Sequence, residues 1–195
     1  MIMFVCIDMD WIHMDAFWSN GIKYLSIWLC FLYAICFKSL FTKMIFLFVV
    51  IADYCLVFET NNTFGVIAFF IVQVLYYYRI HNNSMKSWWS VALVSCSILS
   101  IVLLCHIPVD LMACIAIIYF MTFVFNLCIL IRTKNFSMFT LGFFLYFLCD
   151  INVGIVNGLS YGLFHNETIV AFAQIFIWIF YLPGQMLLVT KSDLV

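Results

Sequence analysis

The chain has 195 residues, of which 68% are hydrophobic, 20% aromatic and only 9% charged, with a formal net charge of −1. A water-soluble domain carries about 45–50% apolar and about 25% charged residues, so this composition excludes a water-facing surface and reads as an integral membrane protein. The near-neutral balance, without a basic tract, leaves nucleic acid no charge to dock on.

The opening stretch MIMFVCIDMDWIHMDAF has seven residues before Asp8, too few to cross a bilayer, and no basic residue precedes that run as a signal peptide requires. It reads as a short N-terminal arm, 1–17. A membrane-spanning helix takes about 20 apolar residues. Seven stretches qualify: about 19–37, 41–58, 63–79, 88–105, 110–131, 136–159 and 168–189. The expected fold is therefore all-α, a polytopic transmembrane bundle of seven helices forming one domain over 18–190, followed by a tail, 191–195.

Lys38, Lys43, Arg79, Lys86, Arg132, Lys134 and Lys191 fall on one side if the spans alternate, with Lys23 as the exception on the other. The positive-inside rule makes the basic side cytoplasmic, with the N-terminus outside and the C-terminus inside. A bacterial-type cell membrane is the expected location.

Two acids fall inside the spans. Asp53 sits in FLFVVIADYCLVF and Asp150 in FFLYFLCDINVGIV. At about 1.5 Å per residue, Asp53 lies roughly 9 Å below Glu59, and Asp150 about 10–14 Å below the outer end of its own span. Both therefore share one level in the outer half. An ionised carboxylate facing lipid costs at least about 2.5–3.5 kcal/mol, so each is expected to face the bundle interior. Two readings stay open. Each acid pairs with a donor such as Lys23, Asn152 or a tyrosine hydroxyl, as polar glue between helices. Alternatively the two form an acid pair: close carboxyls in a poorly solvated pocket cannot both ionise cheaply, which leaves a proton donor beside an anion.

Lys23, Gln73, Asn126, Asn152, Asn157, Gln174 and Gln185 are the other polar residues of the spans, and each reads first as an interhelical hydrogen bond. Tyr54, Tyr76, Tyr119, Tyr146 and Tyr181 can line a pocket or anchor an interface. Of nine cysteines, Cys30, Cys36, Cys55, Cys96, Cys114, Cys128 and Cys149 lie in apolar runs without ligand spacing and read as small hydrophobes. His13, His81, His106 and His165 fall in connections or the arm with no metal-ligand spacing. No metal and no cofactor is expected, and neither a GxSxG elbow nor a Walker loop occurs.

Several of these residues resemble the YhhN-type lysoplasmalogenase family of polytopic membrane proteins. Ala52 and Asp53 resemble its early small-residue–aspartate pair. Gly65, Phe69, Gln73 and Tyr76 match the next element, with Gln73 standing where the family has histidine. Gly142, Phe143, Tyr146, Cys149 and Asp150 match a later helix, with Cys149 in place of serine, and Tyr181 and Gln185 match the last one. Lys23 sits where the family begins a span with lysine. The likeness runs over about 21–190 and implies a bundle lacking the first of the family's eight spans.

The activity it implies is hydrolysis of the vinyl ether of lysoplasmalogens to a fatty aldehyde and a glycerophospho-alcohol, with Asp53 and Asp150 catalytic. Lys23, Gln73, Tyr76, Asn126, Tyr181 and Gln185 are the expected substrate-binding residues. The partners are then a lysophospholipid or other lipid substrate and the membrane lipid. Readings of another class are a transporter or proton-coupled carrier, since intramembrane acids also mark ion pathways, and a catalytically silent homologue that binds lipid.

Overall fold

Four hydrogen-bonding side chains mark where the chain turns into helix. Ser39 Oγ accepts from the Thr42 amide (3.4 Å), Asn61 Oδ1 from Phe64 (3.0 Å), Asp110 Oδ1 from Ala113 (2.8 Å) and Ser137 Oγ from Thr140 (3.1 Å). Each satisfies a first-turn N–H that has no partner within the helix. In this computed structural model the described residues are 16–58, 60–80, 96, 110–133, 137–160 and 167–192. They form helices α1 (Ala16–Phe37), α2 (Leu40–Val57), α3 (Asn62–Ile80), α4 (Leu111–Thr133), α5 (Met138–Ser160) and α6 (Glu167–Lys191), and no strand occurs among them.

All six helices are long and apolar enough to cross a membrane, which marks the chain as an integral multi-pass membrane protein. They coincide with six of the seven expected spans. The expected span at about 88–105 lies outside the described residues, as do the arm up to Asp15 and the tail from Asp193. Pro183 is carried within α6.

Paired contacts give the helix directions. Asn20 bonds the Val57 carbonyl (3.0 Å) while Tyr24 meets Tyr54 (ring centroids 5.9 Å), so α1 and α2 are antiparallel. Arg79 bonds Thr42 (2.9 Å) at one end of the α2–α3 pair and Gly65 lies under Leu56 at the other, again antiparallel. Tyr119 meets Tyr146 and Phe123 meets Phe143, so α4 opposes α5; Gly142 packs on Leu187 and Tyr146 on Tyr181, so α5 opposes α6. Between α3 and α4 the order is different. Phe69 pairs with Tyr119 and Gln73 with Asn126, so these two consecutive described helices run parallel. Lys23 over Trp178 and Lys38 on the Thr190 carbonyl make α1 and α6 parallel too. It follows that α2 and α5, the helices bearing the two acids, point the same way.

These directions gather Lys38, Lys43, Arg79, Arg132 and Lys191 at one end of the bundle, where α2 and α5 begin. Asp110 and Glu167 start α4 and α6 at the other end. The outer faces carry Leu25, Leu29, Phe37, Phe64 and Phe172, all exposed. Water would make such a rim costly, but lipid is the solvent it suits. Inside, Phe123 touches Tyr119, Phe143, Tyr146 and Phe147 with centroids 4.8–6.1 Å apart. A close backbone approach joins α5 to α6: a Cβ on Gly142 would lie 2.7 Å from Leu187 Cβ, and one on Gly184 3.0 Å from the Tyr146 amide nitrogen. Small residues at such a crossing let helices pack without a hydrophobic driving force between them. Here they also fix Tyr146 against Tyr181.

Candidate functional site

Asp53 is buried, one residue after Ala52 on the face of α2 that also buries Val49 and Val50. Tyr181, buried on α6, donates its hydroxyl to Asp53 Oδ2 at 2.6 Å. Asp150 is half-buried on α5, and its Oδ2 accepts a hydrogen bond from the hydroxyl of Tyr119 on α4. The hydroxyl oxygens of Tyr119 and Tyr146 lie 3.4 Å apart, with the one hydrogen of Tyr119 already given to Asp150, and the Tyr146 ring stands edge-on to Tyr181 with centroids 5.8 Å apart. The two acids are thus joined across four helices in the order Asp53, Tyr181, Tyr146, Tyr119, Asp150. Phe69 of α3 packs on both Tyr119 and Tyr146, at 6.3 and 6.1 Å.

The helix pairings place both acids at one depth. Tyr181 and Tyr146 face each other, Asp150 is one turn beyond Tyr146, and Asp53 meets the Tyr181 hydroxyl. Each acid takes its hydrogen bond from a tyrosine rather than from the other carboxyl. Of the donors weighed from sequence, tyrosine hydroxyls serve both acids. Asn152 instead bonds the Leu148 carbonyl of its own helix (2.7 Å), and Asn157 does the same with Val153 (2.9 Å).

Lys23 belongs to this level. It is buried on α1 with Nζ 5.2 Å from the Trp178 ring centroid, and that ring stands edge-on to Tyr181 at 5.6 Å. A cation over an indole face is a favourable partner for an ammonium withdrawn from water. Lys23, Tyr181, Asp53 and Asp150 therefore share one level of the bundle, whereas the remaining expected binding residues do not. Gln73, Asn126 and Gln185, all fully buried, form a separate layer toward the end where α2 and α5 begin. Gln73 lies one turn from Phe69, Gln185 one turn from Tyr181, and Asn126 two turns from Tyr119. Tyr76 is farther still, edge-on to Phe143 at 5.2 Å and packed on Phe139. Gln174 is exposed on the outside of α6.

The part that residue-by-residue reading left unresolved is the pairing of Tyr119 with Asp150. A signal existed: α4 and α5 are joined by a short connection, and antiparallel packing about that turn sets Tyr119 opposite the Tyr146–Asp150 turn. The four histidines all lie outside the described residues. Comparison with protein-family models, with curated proteins and with solved structures finds no match to this chain.

Proposed function

We propose that the protein is an intramembrane hydrolase of the vinyl-ether bond of lysoplasmalogens, acting through Asp53 and Asp150 in a seven-span bundle of a bacterial-type cell membrane. The observation that carries the reading is the pair of acids at one depth, each hydrogen-bonded to a tyrosine and linked through Tyr146. Two acids withdrawn from water cost more than polar glue requires, and an acid–anion pair suits a reaction that passes through a cation.

The chemistry follows from the bond. Protonation of the vinyl ether at its β-carbon leaves positive charge shared by the α-carbon and the ether oxygen. One aspartate, neutral, delivers that proton. The other, ionised, stabilises the oxocarbenium, much as paired carboxyls do in glycoside hydrolysis. Water adds at the α-carbon and gives up a proton to the carboxylate left by the donor, and the hemiacetal collapses to aldehyde and alcohol. The Tyr181 and Tyr119 hydroxyls hold each carboxyl in place for its part. Lys23, at the acids' own depth, pairs with the phosphate of the head group.

The seventh span is the stretch at about 88–105. Its support is the parallel course of α3 and α4, because two consecutive parallel spans need a crossing between them. The end that gathers Lys38, Lys43, Arg79, Arg132 and Lys191 is the cytoplasmic one by the positive-inside rule.

Purified protein in micelles is expected to release aldehyde from a lysoplasmalogen, and both Asp53→Asn and Asp150→Asn to lose that release by at least about a hundredfold, the scale of a lost general acid. Full activity in either variant removes that residue from the mechanism.

One observation favours a carrier as the second reading. The triplets α1–α3 and α4–α6 repeat the same order of directions, each with an acid on its middle helix, and that helix opens on Ser39-x-x-Thr42 in one and Ser137-x-x-Thr140 in the other. Parallel repeats related by an axis along the membrane normal occur in transporters. Proton or solute flux in proteoliposomes that vanishes in the aspartate variants, without aldehyde release, selects this reading.

A further inference from the structure

Three amide side chains without charge lie in the membrane interior, and four of their polar atoms have no hydrogen-bond partner among the described residues. They are Gln73 Nε2, Asn126 Oδ1, and Nε2 and Oε1 of Gln185. All three residues are 0% exposed. Asn126 Nδ2 spends both its hydrogens on Gln73, one on the backbone carbonyl at 3.0 Å and one on Oε1 at 3.2 Å. That leaves the donor of one amide and the acceptor of its neighbour unjoined. Turning Gln73 over would set donor on donor, and turning Asn126 over would set acceptor on acceptor, so the open pair is a property of the arrangement.

Gln185 lies at the same depth. Its neighbour Gly184 abuts Gly142, and Phe143 packs between Tyr76, three residues after Gln73, and Phe123, three residues before Asn126. Gln185 continues the buried face of α6 that carries Tyr181 and Leu188 toward the bundle axis. The layer thus offers two amide NH2 groups and two carbonyl oxygens, all uncharged. A buried polar group without a partner costs about 1–3 kcal/mol, and no lipid tail can repay it.

We infer that Gln73, Asn126 and Gln185 hold ordered water inside the bundle, and that this station supplies the water consumed at the Asp53–Asp150 level. Water is the ligand that both accepts from an N–H and donates to a carbonyl, and buried waters make about three such bonds. A metal ion finds no anionic ligand there, and a charged ligand finds no counter-charge among the three amides. The station is about one helical turn, roughly 6 Å, from Tyr181 and Phe69, so a molecule leaving it reaches the tyrosine chain in a single step. The supply role rests on the hydrolase reading: each vinyl ether cleaved consumes one water, its oxygen joining the α-carbon and its two protons ending on the β-carbon, by way of the acid, and on the released alcohol. The water station itself does not depend on that reading.

Two measurements test it. A structure of the full chain in lipid, at a resolution that shows water, is expected to carry density within hydrogen-bond reach of Gln73 Nε2, Asn126 Oδ1 and the Gln185 amide. The amides found paired directly with one another, or apolar side chains filling the gaps, would overturn the station. The second measurement compares Gln185→Leu with the parent in micelles. Loss of a water anchor is expected to lower the unfolding midpoint by several degrees and to slow aldehyde release at least tenfold through kcat, with KM little changed. A dry, unpaired amide predicts the opposite: its removal raises the midpoint and leaves turnover intact. Water density in a protein that releases no aldehyde retains the station and removes the hydrolase reading; dry amides in an active protein do the reverse.

Discussion

Replacing Tyr181 by phenylalanine deletes one oxygen and leaves the ring. The Tyr181 ring packs on Tyr146 and Trp178 with centroids 5.8 and 5.6 Å away, so its apolar contacts persist in the variant. What disappears is the 2.6 Å hydrogen bond to Asp53, whose carboxyl is buried. A hydrogen bond to a charged group is worth about 1.5–3 kcal/mol, against about 0.5–1.5 for a neutral pair. For a chain of this size about 1 kcal/mol moves the midpoint by roughly 2–4 °C, so Tyr181→Phe is expected to lower it by about 3–12 °C. The sharper quantity is the coupling. Thermal unfolding in micelles of the parent, Tyr181→Phe, Asp53→Asn and the double variant forms a cycle, and the coupling is expected at about 1.5–3 kcal/mol if Asp53 is ionised. Values for independent sites add to within about 0.3–0.5 kcal/mol. A coupling inside that scatter would refute the claim that this hydroxyl serves the carboxyl. The corresponding Tyr119→Phe and Asp150→Asn cycle is expected to give a smaller value, since Asp150 is only half-buried.

Other consequences are accessible to simpler assays. Gly142→Ala and Gly184→Ala should each cost about 1–3 kcal/mol by overpacking the α5–α6 crossing, while Gly21→Ala and Gly154→Ala, whose added Cβ meets nothing within 4 Å, should be neutral or stabilise by up to about 1 kcal/mol; equal effects at all four in thermal unfolding would contradict the close approach. Cysteines introduced at Asn61 and Asp110 are expected to react with an impermeant maleimide from outside intact cells, and ones at Lys43 and Lys191 only after the membrane is opened; the reverse pattern inverts the orientation. In micelles the exposed Cys36 and Cys128 are expected to label with a thiol dye before heating and the buried Cys30, Cys55 and Cys149 only at the unfolding transition, and early labelling of Cys149 would place α5 differently.

The helices were legible in the sequence because lipid imposes the simplest of codes, a long apolar run bounded by polar turns. Six expected spans meet helices within a few residues at each end, and Ser39 and Ser137 stand at their starts as capping residues should. The common depth of Asp53 and Asp150 was legible for a related reason: rise per residue turns sequence distance into depth once direction is known. Lateral position is another matter. Sequence shows that Tyr119, Tyr146 and Tyr181 lie in spans, but which hydroxyl meets which carboxyl depends on how each helix is rotated about its axis. In a chain whose helices are apolar all round, no hydrophobic stripe fixes that rotation. Packing fixes it instead, through contacts such as Gly142 on Gly184. The amides Gln73, Asn126 and Gln185 show the same limit, since each reads first as an interhelical hydrogen bond and as a substrate contact only through the family likeness, whereas the structure sets them about one helical turn or more from Tyr181, Phe69 and Tyr119.

The central claim is that Asp53 and Asp150 together deliver a proton to a carbon atom of a vinyl ether. Turnover of a lysoplasmalogen in D2O, with mass analysis of the released aldehyde, tests it most directly. The account predicts aldehyde carrying one deuterium at carbon 2, formed by the parent protein and lost in both Asp53→Asn and Asp150→Asn. No aldehyde from the parent, aldehyde without deuterium at that carbon, or undiminished labelled product from either variant would contradict it.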